Sequence, residues 1–127
     1  MALAEQTQEQ FLLNFVAGKY HLVGKSPGSD TTYYGKVQLV STESGIEVHR
    51  FIAGKTIAGS GTIEKATADN VSVLRIRFTE NSTEYEETCM IDGDLDNYAR
   101  ITCYLYESGV RTSNPGLEVF FIDHGNN

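Results

Sequence analysis

The sequence lacks tryptophan and has only two prolines, two cysteines and three histidines among its 127 residues. Two cysteines are too few for a disulfide-rich scaffold, and neither they nor the histidines have the spacing of a zinc site. Basic residues are also scarce, 10 against 17 acidic ones, which gives a net charge of −7. An acidic chain without a basic stripe repels phosphate backbones, so we predict no nucleic-acid partner.

Long apolar runs and catalytic signatures are missing as well. No run approaches the ~20 residues of a membrane-spanning helix, so we predict no membrane span. There is no Gly-x-Ser-x-Gly elbow, and the Gly-Ser-Gly at 59–61 lies within a strand pattern. Carboxylates alternate in the turn at 92–96 as in a calcium loop, but the glycine is misplaced and Cys103 replaces the required final Glu. We therefore predict no catalytic residue, no metal and no cofactor.

What the chain does contain is typical of one small β domain. Its length is near the commonest domain size, so we predict a single domain over 1–127. Twelve glycines and seven tyrosines favour short strands joined by tight turns. Residues 1–6 are predicted to be flexible, and a short helix is predicted over 7–17.

The helix prediction follows from a cap and an apolar face. Residues 7–10 have the capping-box form, and Gly18 can end the helix in the left-handed conformation. Four apolar residues recur at helical spacing: Phe11, Leu12, Phe15 and Val16. A helix of about ten residues is unstable alone in water, so this face must dock onto the rest of the domain.

After Gly18 the apolar period changes to two, which is typical of strands. The predicted strands are 19–25, 33–40, 46–52, 55–64, 71–78, 84–91, 98–106 and 117–123. Every connection is too short for a crossover helix, so neighbouring strands should pair antiparallel. Closing the sheet into a barrel would pair its first strand with its last and so leave no exposed edge strand. We predict an all-β fold, an eight-stranded antiparallel up-and-down barrel with a short N-terminal helix; a two-sheet sandwich is the alternative.

The same alternation places the two cysteines. If the hairpin turns about Asp96, Cys89 lies directly opposite Cys103, and both share the interior face with Ile91 and Ile101. Opposed cysteines at such a site are close enough for a bridge. We predict a possible disulfide in an oxidising compartment and two buried thiols in a cytosolic one.

The segment 15–20, Phe-Val-Ala-Gly-Lys-Tyr, resembles the start of calycins, in which a helix runs into Gly-x-Trp at the first strand. Tyr20 stands where the family has Trp. Short elements over 34–61 also resemble lipocalin-like bacterial domains. Only 26–32 separates the first two strands, so the helices that fatty-acid-binding proteins insert there are absent. The resemblance implies an eight-stranded barrel and, by analogy, a cavity. No ligand motif of the family matches.

Arg50 is the residue on which a ligand site would depend. It shares one face of 46–52 with three aliphatic residues, so an interior face would direct its guanidinium inward. There it could bind an anionic or carbonyl-bearing ligand head, with Tyr33 and Tyr104 as flanks, and water or a Glu would satisfy it in the empty protein. Charged side chains are rarely buried, which favours an alternative in which Arg50 lies at the rim of the barrel with its guanidinium in water.

We therefore predict non-enzymatic binding of a small, apolar or amphipathic molecule inside the barrel. One alternative is a structural or protein-interaction module with a filled barrel. Another is a cavity-based isomerase or cyclase, which would need a perturbed acid or base inside. A cavity above ~300 Å³ would favour binding or catalysis, and a filled interior with an exposed apolar patch would favour interaction.

The N-terminal residues bear on the compartment. Ala-Leu-Ala at 2–4 before Glu5 resembles the small-residue end of a signal peptide, which favours a periplasmic or secreted protein over a cytoplasmic one. An ordinary terminus is the alternative, and the basic and apolar regions of a signal are missing from the sequence. The compartment, the oligomeric state and the identity of any ligand stay open.

Overall fold

A computed structural model describes residues 8–65, 71–91 and 100–123. One helix, α1 (Gln8–Val16), precedes eight strands in this part of the chain. The strands are β1 (Gly18–Lys25), β2 (Thr32–Ser41), β3 (Ile46–Ile52), β4 (Lys55–Lys65), β5 (Ser72–Glu80), β6 (Thr83–Met90), β7 (Arg100–Glu107) and β8 (Gly116–Ile122). Each predicted strand coincides with one of these apart from one or two residues at its ends, and the predicted start of the seventh strand at 98–99 lies outside the described residues.

The strands form a closed barrel in sequence order. Each pairs antiparallel with the next, and β8 returns to pair with β1. The predicted up-and-down barrel with a short helix is confirmed, and the sandwich alternative is excluded. Within the described ranges, no helix is long and apolar enough to cross a bilayer. The predictions for residues 1–7 and for the turn at 92–96 lie outside the described residues.

α1 docks at one end of the barrel through three side chains, Leu12, Leu13 and Val16, all at most 4% exposed. They pack into the core beside β2 and β4. Phe11 and Phe15 are 59% and 44% exposed and stack on each other instead, so their predicted place on the docking face is wrong. Successive residues are about 100° apart around a helix, so the apolar residues of α1 cover a wider face than the one that contacts the barrel. The two phenylalanines lie on the part of this apolar face that the barrel does not cover.

Tyr20 connects the helix to the base of the barrel. Its side chain is 5% exposed, and its hydroxyl donates a hydrogen bond to the Val16 carbonyl at 2.8 Å. The ring also packs against Phe120, with the ring centroids 6.1 Å apart. Burial raises the pKa of Tyr20 to about 12. The tyrosine thus fills the base and satisfies one of the carbonyls that a helix leaves unpaired at its C-terminus.

The β6–β7 register is the predicted one, with Cys89 directly opposite Cys103. Both side chains are fully buried, and the structure joins them by a disulfide bond with a sequence separation of 14. Ile91 and Ile101 are buried beside them. This hairpin is therefore anchored from inside the barrel.

The end opposite α1 is here called the mouth. Because α1 leads directly into the start of β1, the mouth is where β1 ends and where four connections gather: 26–31, 53–54, 81–82 and 108–115. Inward-facing residues nearer α1 are mainly aliphatic and form the core. Toward the mouth the interior instead contains ionisable side chains.

Candidate functional site

Three ionisable side chains of the described residues lie buried inside the barrel. Arg50 on β3, Glu87 on β6 and Glu118 on β8 are 3%, 0% and 0% exposed. Each falls on the inward-facing parity of its strand, between inward-facing neighbours two residues away on either side. Half-buried Tyr33 of β2 joins them. These four residues are called the interior cluster below.

Arg50 and Glu118 form a two-pronged ion pair. Arg50 Nη1 donates to Glu118 Oε1 at 2.7 Å, and Nη2 donates to Oε2 at 2.8 Å. The guanidinium also lies 4.0 Å from the centroid of the Phe78 ring, and Nη1 is 3.5 Å from Glu87 Oε1. The rim alternative for Arg50 is therefore wrong, because a carboxylate from the opposite end of the chain supplies the partner that burial requires.

Tyr33 completes the set of donors to Glu118. Its hydroxyl donates a short hydrogen bond to Glu118 Oε2. Burial and the adjacent Glu118 carboxylate raise the pKa of Tyr33 far above its usual range. The phenol therefore stays protonated and acts as a hydrogen-bond donor.

Gly24 of β1 makes room for this contact. It lies opposite Tyr33 in the β1–β2 ladder and opposite Glu118 in the β1–β8 ladder. A Cβ at this position would come within 2.8 Å of Glu118 Cγ and 2.9 Å of the Tyr33 ring. Glycine thus allows side chains from two strands to meet across a third.

The two glutamates differ in protonation. Burial raises the pKa of Glu87 well above its usual range, and the charge of Glu118 raises it further. Burial acts to raise the pKa of Glu118 too, but the hydrogen bonds from Arg50 and Tyr33 and the positive charge of Arg50 hold it below its usual range. Neither buried oxygen of Glu87 has a hydrogen-bond partner among the described residues, so burial favours the protonated acid over the carboxylate. The cluster then carries one cation and one anion.

A cavity of about 190 Å³ lies between this cluster and the mouth. Its lining combines apolar, aromatic and polar side chains: Ser26, Tyr33, Arg50, Ile52, Phe78, Glu80, Tyr85 and Leu105. Phe78 and Tyr85 are stacked, with ring centroids 5.4 Å apart. Glu87 and Glu118 do not line the cavity. The cluster thus forms a floor that presents Tyr33 and Arg50 upward while the two glutamates stay beneath.

Of the three predicted ligand-binding residues, the structure brings two together. Arg50 and Tyr33 both line the cavity. Tyr104 is 48% exposed on the outer face of β7, between the buried residues Cys103 and Leu105. It cannot flank Arg50, so that part of the prediction is corrected. The alternation that directs Cys103 inward directs Tyr104 outward.

Sequence reasoning missed Glu87, Glu118 and Glu80. A usable signal was present, because Glu87 is two residues from the inward-facing Cys89, and Glu118 is two residues from the buried Phe120. Continuing the period-two pattern through these charged positions would have placed both inside. The general rule that glutamates face solvent concealed them.

Comparisons with known proteins leave the assignment to the geometry. No protein-family model matches the sequence, and no curated protein matches it significantly. In the described part of the chain, no group of three or more His, Cys, Asp or Glu side chains could hold a metal ion. Function is therefore inferred from the interior cluster and the cavity above it.

Proposed function

We propose that the protein binds a small, partly apolar molecule in the cavity above the interior cluster, without chemical conversion. The supporting observation is the cluster itself, in which three ionisable side chains are buried at the floor of the cavity. Replacing buried ion pairs by packed apolar residues is often neutral or stabilising, so stability alone does not explain such a cluster. A polar floor for a ligand cavity, to which Tyr33 and Arg50 contribute lining, is the role that we propose for it. The calycin-like start of the sequence supports the same proposal.

The size of the cavity limits the ligand. At about 190 Å³ it is larger than the ~150 Å³ that accommodates a benzene molecule, but it does not reach the ~300 Å³ expected of a typical binding cavity, so the proposal depends on the interior cluster and not on volume. The buried part of the ligand should therefore be the size of one ring. Apolar walls from Ile52 and Leu105 and polar groups from Tyr33 and Glu80 suit an amphipathic molecule.

Binding is favoured over isomerase or cyclase chemistry because the interior-cluster groups with shifted pKa values are either beneath the cavity lining or held in one protonation state. Glu87, whose pKa is raised, lies beneath the cavity lining. Tyr33 does line it, but its raised pKa keeps the phenol protonated. A general acid or base must reach the reacting atoms and must titrate near the working pH.

The protein-interaction alternative depends on a different observation, the exposed stacked pair Phe11 and Phe15 on α1. Two rings form a much smaller apolar surface than the few hundred Å² of a typical interaction patch. The two functions would use opposite ends of the barrel, so one experiment can separate them.

The proposal is tested by titrating the protein with ring-sized molecules and recording amide NMR shifts. We expect shifts around Tyr33, Arg50 and Phe78, and none on α1. Ile52→Trp should fill the cavity and abolish binding while the barrel stays folded. Tyr104→Trp, an equally aromatic change on the outer face, should leave binding unchanged. Absence of any binding, or full binding by Ile52→Trp, would overturn the proposal.

A further inference from the structure

The charges around the cavity permit a sharper statement about the ligand, which rests on the proposed function. We infer that the cavity selects a ring-sized ligand that carries a positively charged amine, and that it rejects carboxylates. Three features carry this inference: the occupied guanidinium of Arg50, the unpaired carboxylate of Glu80 and the aromatic walls.

Arg50 is not available to an anion. Both of its terminal nitrogens already donate to Glu118, and its Nε, which has no hydrogen-bond partner among the described residues, has no exposed surface for a ligand to reach. A carboxylate ligand would have to displace Glu118, and a buried carboxylate without a partner is costly. The expectation from the sequence that Arg50 binds an anionic ligand head is therefore replaced.

Glu80 leaves the cavity wall with a net negative charge. It is the last residue of β5 at the mouth, it is half-buried, and it lines the cavity. It has no hydrogen-bond or ion-pair partner among the residues that the structure describes. The charges of Arg50 and Glu118 cancel, so Glu80 decides the sign of the site. Ionisation of Glu87 would only make the site more negative.

The walls supply a second attraction for a cation. Phe78 and Tyr85 stack beside the cavity, and aromatic faces attract positive charge. One face of Phe78 already holds the Arg50 guanidinium. A benzene ring needs ~150 Å³, which leaves room in the cavity for a short aminoalkyl chain directed at Glu80.

Three probes that share a phenyl ring test the inference: 2-phenylethylamine, 2-phenylethanol and 3-phenylpropionate. NMR titration of the intact protein at neutral pH and low salt gives the three affinities. We expect the amine to bind about tenfold more tightly than the alcohol, the gain of one charge-assisted hydrogen bond, and the carboxylate to bind least.

The variants assign the preference to Glu80. Glu80→Gln should remove the preference for the amine and leave the affinity for the alcohol within about twofold, since the ring contacts are unchanged. Glu84→Gln removes an equal charge from an exposed position at the same end and should keep the preference. Glu80→Lys should reverse it in favour of the carboxylate.

The outcomes separate the two levels of the proposal. Equal binding of amine and alcohol, or tightest binding of the carboxylate, would overturn the inference while the cavity remains a binding site. A preference that survives Glu80→Gln would overturn it as well. If none of the probes and no other ring-sized molecule binds, the proposed function is wrong, and the inference with it.

Discussion

Glu87 and Glu118 are the same residue in the same barrel interior, yet their neighbours give them opposite charge states. Glu118 accepts hydrogen bonds from Arg50 and Tyr33, so its ionised form is stabilised. Glu87 has only an Arg50 nitrogen at 3.5 Å, and this nitrogen already donates to Glu118. Burial of a carboxylate without adequate donors favours its protonated form. Neutralising each glutamate should therefore have a different consequence.

Glu118→Gln should destabilise the protein strongly, whereas Glu87→Gln should not. The first leaves the buried Arg50 cation without its two-pronged partner, which should cost about 3 kcal/mol in the free energy of unfolding. The second replaces a neutral acid by a neutral amide of similar shape and should change it by less than about 1 kcal/mol. Urea unfolding at neutral pH measures both. Equal losses in the two variants would contradict the assigned charge states.

The pH dependence of stability should separate the same two residues. The raised folded-state pKa of Glu87 gives a contribution that is complete below its ordinary value of 4.5 and is lost as the pH rises through the raised pKa. The lowered pKa of Glu118 gives a contribution that is present above 4.5 and is lost as the pH falls through the lowered value. Relative to wild type, Glu87→Gln should therefore become more stable as the pH rises. Parallel curves would show that folding does not shift the pKa of Glu87, which would contradict its assignment as a buried neutral acid.

At the scale of elements, α1 shows how far sequence periodicity can be used. The change from helical to period-two spacing after Gly18 located the helix and all eight strands, because each period reflects a backbone geometry. The docking face of α1 was predicted wrongly. The spacing of apolar residues shows which side of a helix is apolar, but it does not show which part of that side contacts the barrel. Leu13, absent from the predicted face, is buried, while Phe11 and Phe15 are exposed.

Substitutions on α1 test the corrected face. Leu13→Ala should lower the free energy of unfolding by about 3 kcal/mol, because it leaves a cavity at the closed end of the barrel. Phe15→Ala removes a larger side chain but an exposed one, and should cost less than about 1 kcal/mol. Thermal unfolding of the two variants side by side measures the difference. A larger loss for Phe15→Ala would restore the face predicted from the sequence.

At the scale of the whole molecule, barrel closure creates the candidate site. Glu118 meets Arg50 across a sequence separation of 68 and Tyr33 across 85, and these contacts exist because β8 returns to pair with β1. Alternation along one strand could direct Arg50 inward, but it could not show which strand would face it. Alternation could therefore have placed the two glutamates inside, but the pairing of Glu118 with Arg50 could not be predicted from the sequence.

Closure also determines what the two cysteines can do. The hairpin register places Cys89 and Cys103 opposite each other on the inner face, both fully buried. A bridge across their separation of 14 residues restricts the unfolded chain, and its removal should cost about 3 kcal/mol. Replacement of both cysteines by alanine should therefore lower the unfolding midpoint of protein prepared without reductant.

Thiol titration provides the complementary measurement. Protein from an oxidising compartment should show no free thiol even in denaturant, because both sulfurs are in the bridge. Protein made in a reducing compartment should show two thiols that react only after unfolding, since neither side chain is exposed in the folded barrel. Two thiols that react rapidly in the native protein would contradict the inward register of β6 and β7. The inward positions of Glu87 and Leu105 depend on the same register, so the floor and one wall of the cavity would then have to be reassigned.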